Sequence, residues 1–288
     1  IEEFDLKTLA KYIDWTFFFF AWKLSGKYPA IFGDPVKGEE AKKLFNDGQI
    51  YLQEIIDRKL LKANGVFGLF QAVSSGDDVR ILNGKNKNEV KTTFRFLRNQ
   101  EQKERGVPNL SLSDFIAPES AGITDYIGAF VVTAVLDNEA LKNYRDDDYA
   151  LIMIRILSDR IVEAAAEYLH ELVRKKYWGY SADEDLSIDD LLKVKYRGIR
   201  PAPGYPACPD HTEKRTIFDL LDAERLTGAG LTENFAMTPP AAVSGYIFSH
   251  PGSVYFNIGK IGEDQLNDYA SRKKMSVEET ARWLAPNL

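Results

Sequence analysis

Four prolines and two glycines fall within the fifteen residues from Arg197 to His211, RGIRPAPGYPACPDH. Proline fixes φ and restricts the residue before it, so this run is neither a regular helix nor a central strand, and its backbone is largely pre-set. It also lacks the polar filler of a flexible linker. Arg200, Tyr205, Cys208 and His211 ride on it. A stiff irregular segment with such side chains either holds a ligand or simply connects two elements. Asp14 stands just before an intensely apolar stretch, WTFFFFAW, from Trp15 to Trp22. A carboxylate there is either a helix N-cap, worth about 1 kcal/mol, or a ligand group. Asp159, Glu163 and His170 share one side of an amphipathic pattern. That side is either solvated surface or a polar face turned toward a ligand or partner.

Several chemistries are missing from the pattern. No G-x-G-x-x-G, P-loop, H-E-x-x-H or G-x-S-x-G run occurs, although each is the usual signature of its site. Cys208 is the only cysteine, so no internal disulfide is expected, which fits a cytoplasmic setting. One cysteine and three scattered histidines do not space a structural zinc site. A net charge of −6 argues against a general nucleic-acid binder. Trp15 to Trp22 falls far short of the roughly 20 apolar residues that span a bilayer. The acidic segment before it does not suit a signal peptide. With 288 residues, 44% hydrophobic and 28% charged, the chain has the composition of a soluble globular protein of one large or two small domains. It begins at Ile1, which suggests a piece excised from a longer polypeptide.

The elements that must carry these residues follow from periodicity. Leu6, Leu9, Ala10 and Ile13 have helical spacing. Lys37 to Leu61 keeps a 3.6-residue period through Ala41, Leu44, Phe45, Ile50, Leu52, Ile55 and Ile56, so a helix is expected. Val66–Val73, Val79–Leu82 and Glu89–Leu97 read as an antiparallel meander with a turn at residues 74–77. Tyr126–Val135 is a further strand. Tyr149 to Lys176 is the clearest helix, with Ile154, Leu157, Ile161, Ala165, Tyr168 and Leu172 on one side and Gly179 able to close its end. Ser187 and Ser276 open helices as caps, and Thr212–Leu226 and Ile261–Lys273 are helical. Ser244–Phe248 and Val254–Ile258 are expected to form a hairpin around residues 250–253. Strands and helices come in runs, so the fold class is α+β with an antiparallel sheet, not a parallel βαβ fold.

The loop RPAPGYPACPDH resembles the C-terminal activation domain of cobalamin-dependent methionine synthase, which binds S-adenosylmethionine. The likeness extends in order through Tyr12-Ile-Asp-Trp-Thr16, Gly26-Lys-Tyr-Pro29, Gly65-Val-Phe-Gly-Leu-Phe70, Asp125-Tyr-Ile-Gly-Ala-Phe130, Ala166-Glu-Tyr-Leu-His-Glu171, Tyr177-Trp-Gly-Tyr180, Phe248-Ser-His-Pro251 and Trp283-Leu-Ala-Pro-Asn-Leu288. It covers essentially the whole chain. The resemblance implies a single C-shaped domain over residues 1–288, without a Rossmann core, as one part of a larger methionine synthase. It implies Arg200 as the clamp on the ligand's carboxylate, because a guanidinium pairs well with that group. Asp14 would meet the ammonium, Glu163 would lie near the sulfonium, and the backbone around Pro201, Ala202 and Gly204 would serve the adenosine. Tyr255 and Phe256 match a ligand-contacting pair, with Phe256 lacking the hydroxyl often present in the family. Tyr205 would lie over the corrin face of a docked cobalamin domain. Asn138 and Asp159 would face that domain, and His211 either reaches the same interface or serves a hydrogen bond within its loop. Asn138 stands where an acid is common, and Val194 where relatives can carry glutamate. His170 and His250 are expected to be structural.

The implied activity is a repair reaction. S-adenosylmethionine supplies a methyl group and flavodoxin, or another reductant, an electron, so that cob(II)alamin returns to methylcobalamin. The D-x-H-x-x-G segment that places a histidine under cobalt is absent, so cobalamin would be held by the neighbouring domain of the same polypeptide. No zinc, nucleic acid or membrane enters this scheme, and the fragment is expected to be monomeric with little activity alone. An alternative is a docking module that keeps the fold without the ligand. A free-standing small-molecule methyltransferase would need an acceptor pocket of its own.

Overall fold

Ile127 to Ala134 is apolar at almost every position, and in the computed structural model, which describes residues 2–84 and 86–288, this run lies inside the main sheet. The strands are β1 (Glu2–Glu3), β2 (Leu61–Ser75), β3 (Asp78–Asn83), β4 (Asn86–Arg95), β5 (Asp125–Leu136), β6 (Gly230–Leu231), β7 (Met237–Thr238) and β8 (Ala242–Ile247). Six of them form one antiparallel sheet in the order β4-β3-β2-β5-β8, with β1 added beside β2; β6 and β7 pair separately. The helices are α1 (Leu6–Leu9), α2 (Trp15–Ala21), α3 (Gly38–Arg58), α4 (Asn138–Leu141), α5 (Asp148–Leu172), α6 (Ile188–Leu192), α7 (Glu213–Leu221), α8 (Ala223–Thr227), α9 (Glu263–Lys273) and α10 (Val277–Trp283).

Successive side chains of a strand point to opposite faces. On β5, Phe130, Val132 and Ala134 enter a core with α2, α3 and α5, while Ile127, Ala129 and Val131 enter a second core with α7 and α8. Both faces are covered, so β5 reads as continuous apolar sequence and not as alternation. A third, smaller core joins Leu97, Ile258 and Ile261 to Leu266, Tyr269 and Leu284 of the C-terminal helices. Among the described residues no helix is long and apolar enough to cross a membrane.

The expected α+β class and antiparallel meander are present, with β2 five residues longer at its start than predicted. Four details differ. Ile50, placed on the apolar side of α3, is 64% exposed. The helix expected over Thr212–Leu226 breaks at Asp222, which takes a left-handed conformation and ends α7. Beyond α5 the chain forms a five-residue π turn, Val173–Tyr177, before Trp178 and Gly179 bond back to the Val173 carbonyl. The predicted hairpin lacks its second strand. Residues 254–258 form no strand and do not pair with β8. The proline-rich loop occupies that edge instead: Ile199 bridges Phe248, and Tyr246 N–H donates to the Pro201 carbonyl at 2.9 Å. Gly245 permits this approach, since a Cβ there would meet that carbonyl oxygen at 2.7 Å.

Candidate functional site

Arg160, Glu163, Ala164 and Glu167 sit at i, i+3, i+4 and i+7 on α5, so they share one face. That face forms one wall of a cleft of about 430 Å³. The segment around α6 and the proline-rich loop, through Val194, Tyr196, Arg200 and Tyr205, forms the other wall, joined by Tyr255. Tyr12, Asp14 and Phe17 close one end. Asp14 acts as the helix cap and also lies on the cleft. Its Oδ1 accepts the Thr16 N–H at 2.9 Å as the N-cap of α2, and its side chain lines the cleft.

A largely buried ion pair lines the cleft. Arg200 Nη2 donates to Glu167 Oε2 at 2.5 Å. Glu167 is 4% exposed, and its Oε1 is buried without a partner, as is the Nε of Arg200. Burial opposes the charge on Arg200, but Glu167 and the Tyr196 and Tyr255 hydroxyls more than offset it, raising the guanidinium pKa. The backbone N–H of Arg200 donates to the Tyr255 hydroxyl at 3.0 Å, which ties residue 255 to the loop.

Behind this wall lies a buried support. The Arg174 guanidinium stacks 4.3 Å from the Tyr196 ring and bonds the Glu184 carboxylate at 2.7–3.1 Å. His170 packs edge-on to Tyr196 and meets the Tyr180 hydroxyl at 3.2 Å through Nε2. Burial, Arg174 and Arg200 push the His170 pKa well below its ordinary value, so the ring is neutral.

Tyr205 stands at the mouth of the cleft, 61% exposed. A tight turn presents it: Tyr205 N–H donates to the Ala202 carbonyl, Cys208 N–H to the Tyr205 carbonyl, and Gly204 N–H to the Cys208 carbonyl. Gly204 has φ +94°, and its α-carbon rests on the His211 ring, leaving no space for a Cβ. His211 Nδ1 pairs with Lys214 Nζ at 2.9 Å.

Over residues 5–274 the sequence matches the family described as vitamin B12 dependent methionine synthase, activation domain. The chain belongs to this family. It is also similar to a solved structure, the crystal structure of the MetH reactivation domain bound to AdoHcy, at 51% identity. That match covers all of this chain and 89% of the other, with a TM-score of 0.95, so the activation-domain fold is the one seen here.

Of the residues predicted for this activation domain's site, Asp14, Glu163, Arg200, Tyr205 and Tyr255 line the one cleft, with Val194 at its edge. Pro201, Ala202 and Gly204 do not line it; their backbone groups tie the loop to β8 and form the Tyr205 turn. The Phe256 ring turns into the core against Phe115, so the hydroxyl it lacks would not enter the cleft from this rotamer. Asn138 is exposed in the first turn of α4, outside the cleft. Asp159 is half-buried outside it; desolvation raises its pKa and Arg160 opposes the rise. His211 lies under the Tyr205 turn and lines the adjoining hollow. Cys208 is buried, its thiol pKa pushed well up by desolvation, and it packs in the second core. Glu167, Arg160 and Tyr196 were not singled out from sequence. For Glu167 the signal was available: it lies four residues from Glu163, which puts both carboxylates on one helical face. Among the described residues no cluster of His, Cys, Asp and Glu could hold a metal ion.

The far end of the loop is fixed by buried charge. Lys273 Nζ lies 2.6 Å from Glu213 Oε1, 3.1 Å from Asp210 Oδ2 and 2.7 Å from Thr212 Oγ1. The Tyr269 hydroxyl donates to Asp210 at 2.8 Å, and the Tyr246 hydroxyl to Glu213 at 3.4 Å. This cluster joins the loop to α7, α9 and β8.

Proposed function

We propose that this activation domain binds S-adenosylmethionine in the cleft between α5 and the 197–211 loop. In this role it supports reductive remethylation of cob(II)alamin to methylcobalamin within a larger cobalamin-dependent methionine synthase, of which residues 1–288 form one domain. The observation that carries this reading is the charge set of the cleft. Asp14, Glu163 and Glu167 face Arg160 and Arg200, leaving one net negative charge. The ligand, with one carboxylate, one ammonium and one sulfonium, carries the complementary net positive charge. Arg200 supplies a guanidinium for the carboxylate, Asp14 an oxygen for the ammonium, and Glu163 a charge for the sulfonium side. The AdoHcy-bound relative supports the same ligand class.

Cobalamin, bound by the neighbouring domain, supplies the methyl acceptor, and flavodoxin or an equivalent reductant supplies one electron. Displacement at a sulfonium methyl needs no acid or base. The task of this chain is to orient the ligand, exclude water and present the exposed Tyr205 to the docked partner. Asn138, Asp159 and His211 belong to that docking surface in this proposal. Calorimetric titration of the chain with S-adenosylmethionine tests it. Saturable binding is expected, weakened by Asp14→Asn and by Arg200→Ala, the latter by about 1.5–3 kcal/mol for a lost charged hydrogen bond. A folded chain that shows no binding at millimolar ligand refutes the proposal and leaves a docking module.

A further inference from the structure

Glu167 is the most deeply buried carboxylate of the cleft, with a side chain 5% exposed. Its Oε2 is occupied by Arg200. Its Oε1 has no donor, and the Nε–H of Arg200 has no acceptor, although both atoms are buried. Buried charged groups are costly to leave unpaired. Both residues line the cleft, and a guest seated against them with one donor and one acceptor would complete both. An α-amino-acid head group carries that pair on a single carbon: an ammonium to donate and a carboxylate to accept. We propose that Glu167 is a ligand-binding residue whose Oε1 receives the α-ammonium of S-adenosylmethionine while Arg200 takes the carboxylate. This rests on the ligand reading above. An ammonium has three N–H donors, so one can still reach Asp14, whose Oδ1 already caps α2. Two carboxylates on one ammonium would make the cleft selective for the intact amino-acid head.

The test is a titration of the full chain and of E167Q with three probes: S-adenosylhomocysteine, its deaminated analogue and 5′-methylthioadenosine. E167Q is expected to weaken S-adenosylhomocysteine at least roughly ten-fold, the effect of one lost charged hydrogen bond. The other two probes, which lack the ammonium, are expected to change by less than about three-fold, since they make no bond to Oε1. E167D keeps a counter-ion for Arg200 but draws it back by one methylene. It should show the same selectivity and serves if E167Q does not fold. An equal loss for the deaminated analogue overturns the proposal, because Glu167 would then act only by holding Arg200. No loss for S-adenosylhomocysteine overturns it as well. If the unmodified chain binds none of the probes, the ligand reading fails and this assignment fails with it.

Discussion

Replacing Lys273 with Met should unlock the loop from its buried anchor, with a cost that depends on pH. Lys273 is 8% exposed on its side chain, beside Asp210 at 3% and Glu213 at 0%. Methionine keeps the length of the side chain but removes the charge. Two buried carboxylates then lose their shared cation, and breaking a buried pair in this way costs about 3–5 kcal/mol. For a chain of this size that is a fall of roughly 6–10 °C in melting temperature. Burial raises the Glu213 pKa, and Lys273 is the main group restraining it. A carboxyl with a raised folded pKa contributes stability that is complete below its unfolded value, about 4.3, and is lost as pH rises through the folded value. Without Lys273 the folded value climbs further. The deficit of K273M should therefore be small near pH 5 and reach its full size by pH 8. Thermal unfolding followed by circular dichroism, for parent and variant at both pH values, reads this directly. A deficit below about 1 kcal/mol at pH 8, or one equal at both pH values, would refute the assignment of Lys273 as the electrostatic anchor.

Other substitutions probe the same framework. Val194 holds φ +57°, a left-handed conformation that costs a β-branched residue about 1–2 kcal/mol. Asn tolerates it, so Val194→Asn should raise the melting temperature by roughly 2 °C, read by calorimetry. Gly204→Ala forces a methyl into the His211 ring; both melting temperature and S-adenosylmethionine affinity should fall, whereas unchanged affinity would separate the Tyr205 turn from the site. His170 is buried with a depressed pKa, so it contributes stability above about pH 6.5 that is lost as pH falls. In urea unfolding series, His170→Gln should flatten the acid-side loss by up to about 1.4 kcal/mol per pH unit below that point.

The strands, the long α5 helix and the serine caps were legible because each rests on local periodicity or local hydrogen bonding. Ser187 accepts from Asp190 N–H and Ser276 from Glu279 N–H, as their spacing implies. The failures came from tertiary competition. The partner expected for β8 could not be read, because the loop that takes its edge comes from residues 199–201, some fifty positions earlier. The polar side of α5 looked uniform in sequence. In three dimensions Glu163 borders the cleft, Glu167 is buried against Arg200, and His170 is buried behind Tyr196. Spacing gave the shared face, but nothing local told which part of it would be covered. Asp14 was ambiguous between cap and ligand group because its two oxygens allow both roles.

The backbone ladder from the proline-rich loop to β8 has a bearing on solubility. Sheet edges with unpaired N–H and C=O groups recruit other chains, and proteins commonly cover them. Here the cover on β8 is the segment that also carries Arg200, with the Pro201 carbonyl and Ile199 occupying the edge positions. Proline contributes twice, since it has no N–H with which to extend the ladder outward. A change that peels this segment away would strip the cleft of the Arg200 guanidinium and bare an apolar strand edge in one event. Damage to the proline-rich loop should thus surface as self-association of the chain before it surfaces as unfolding.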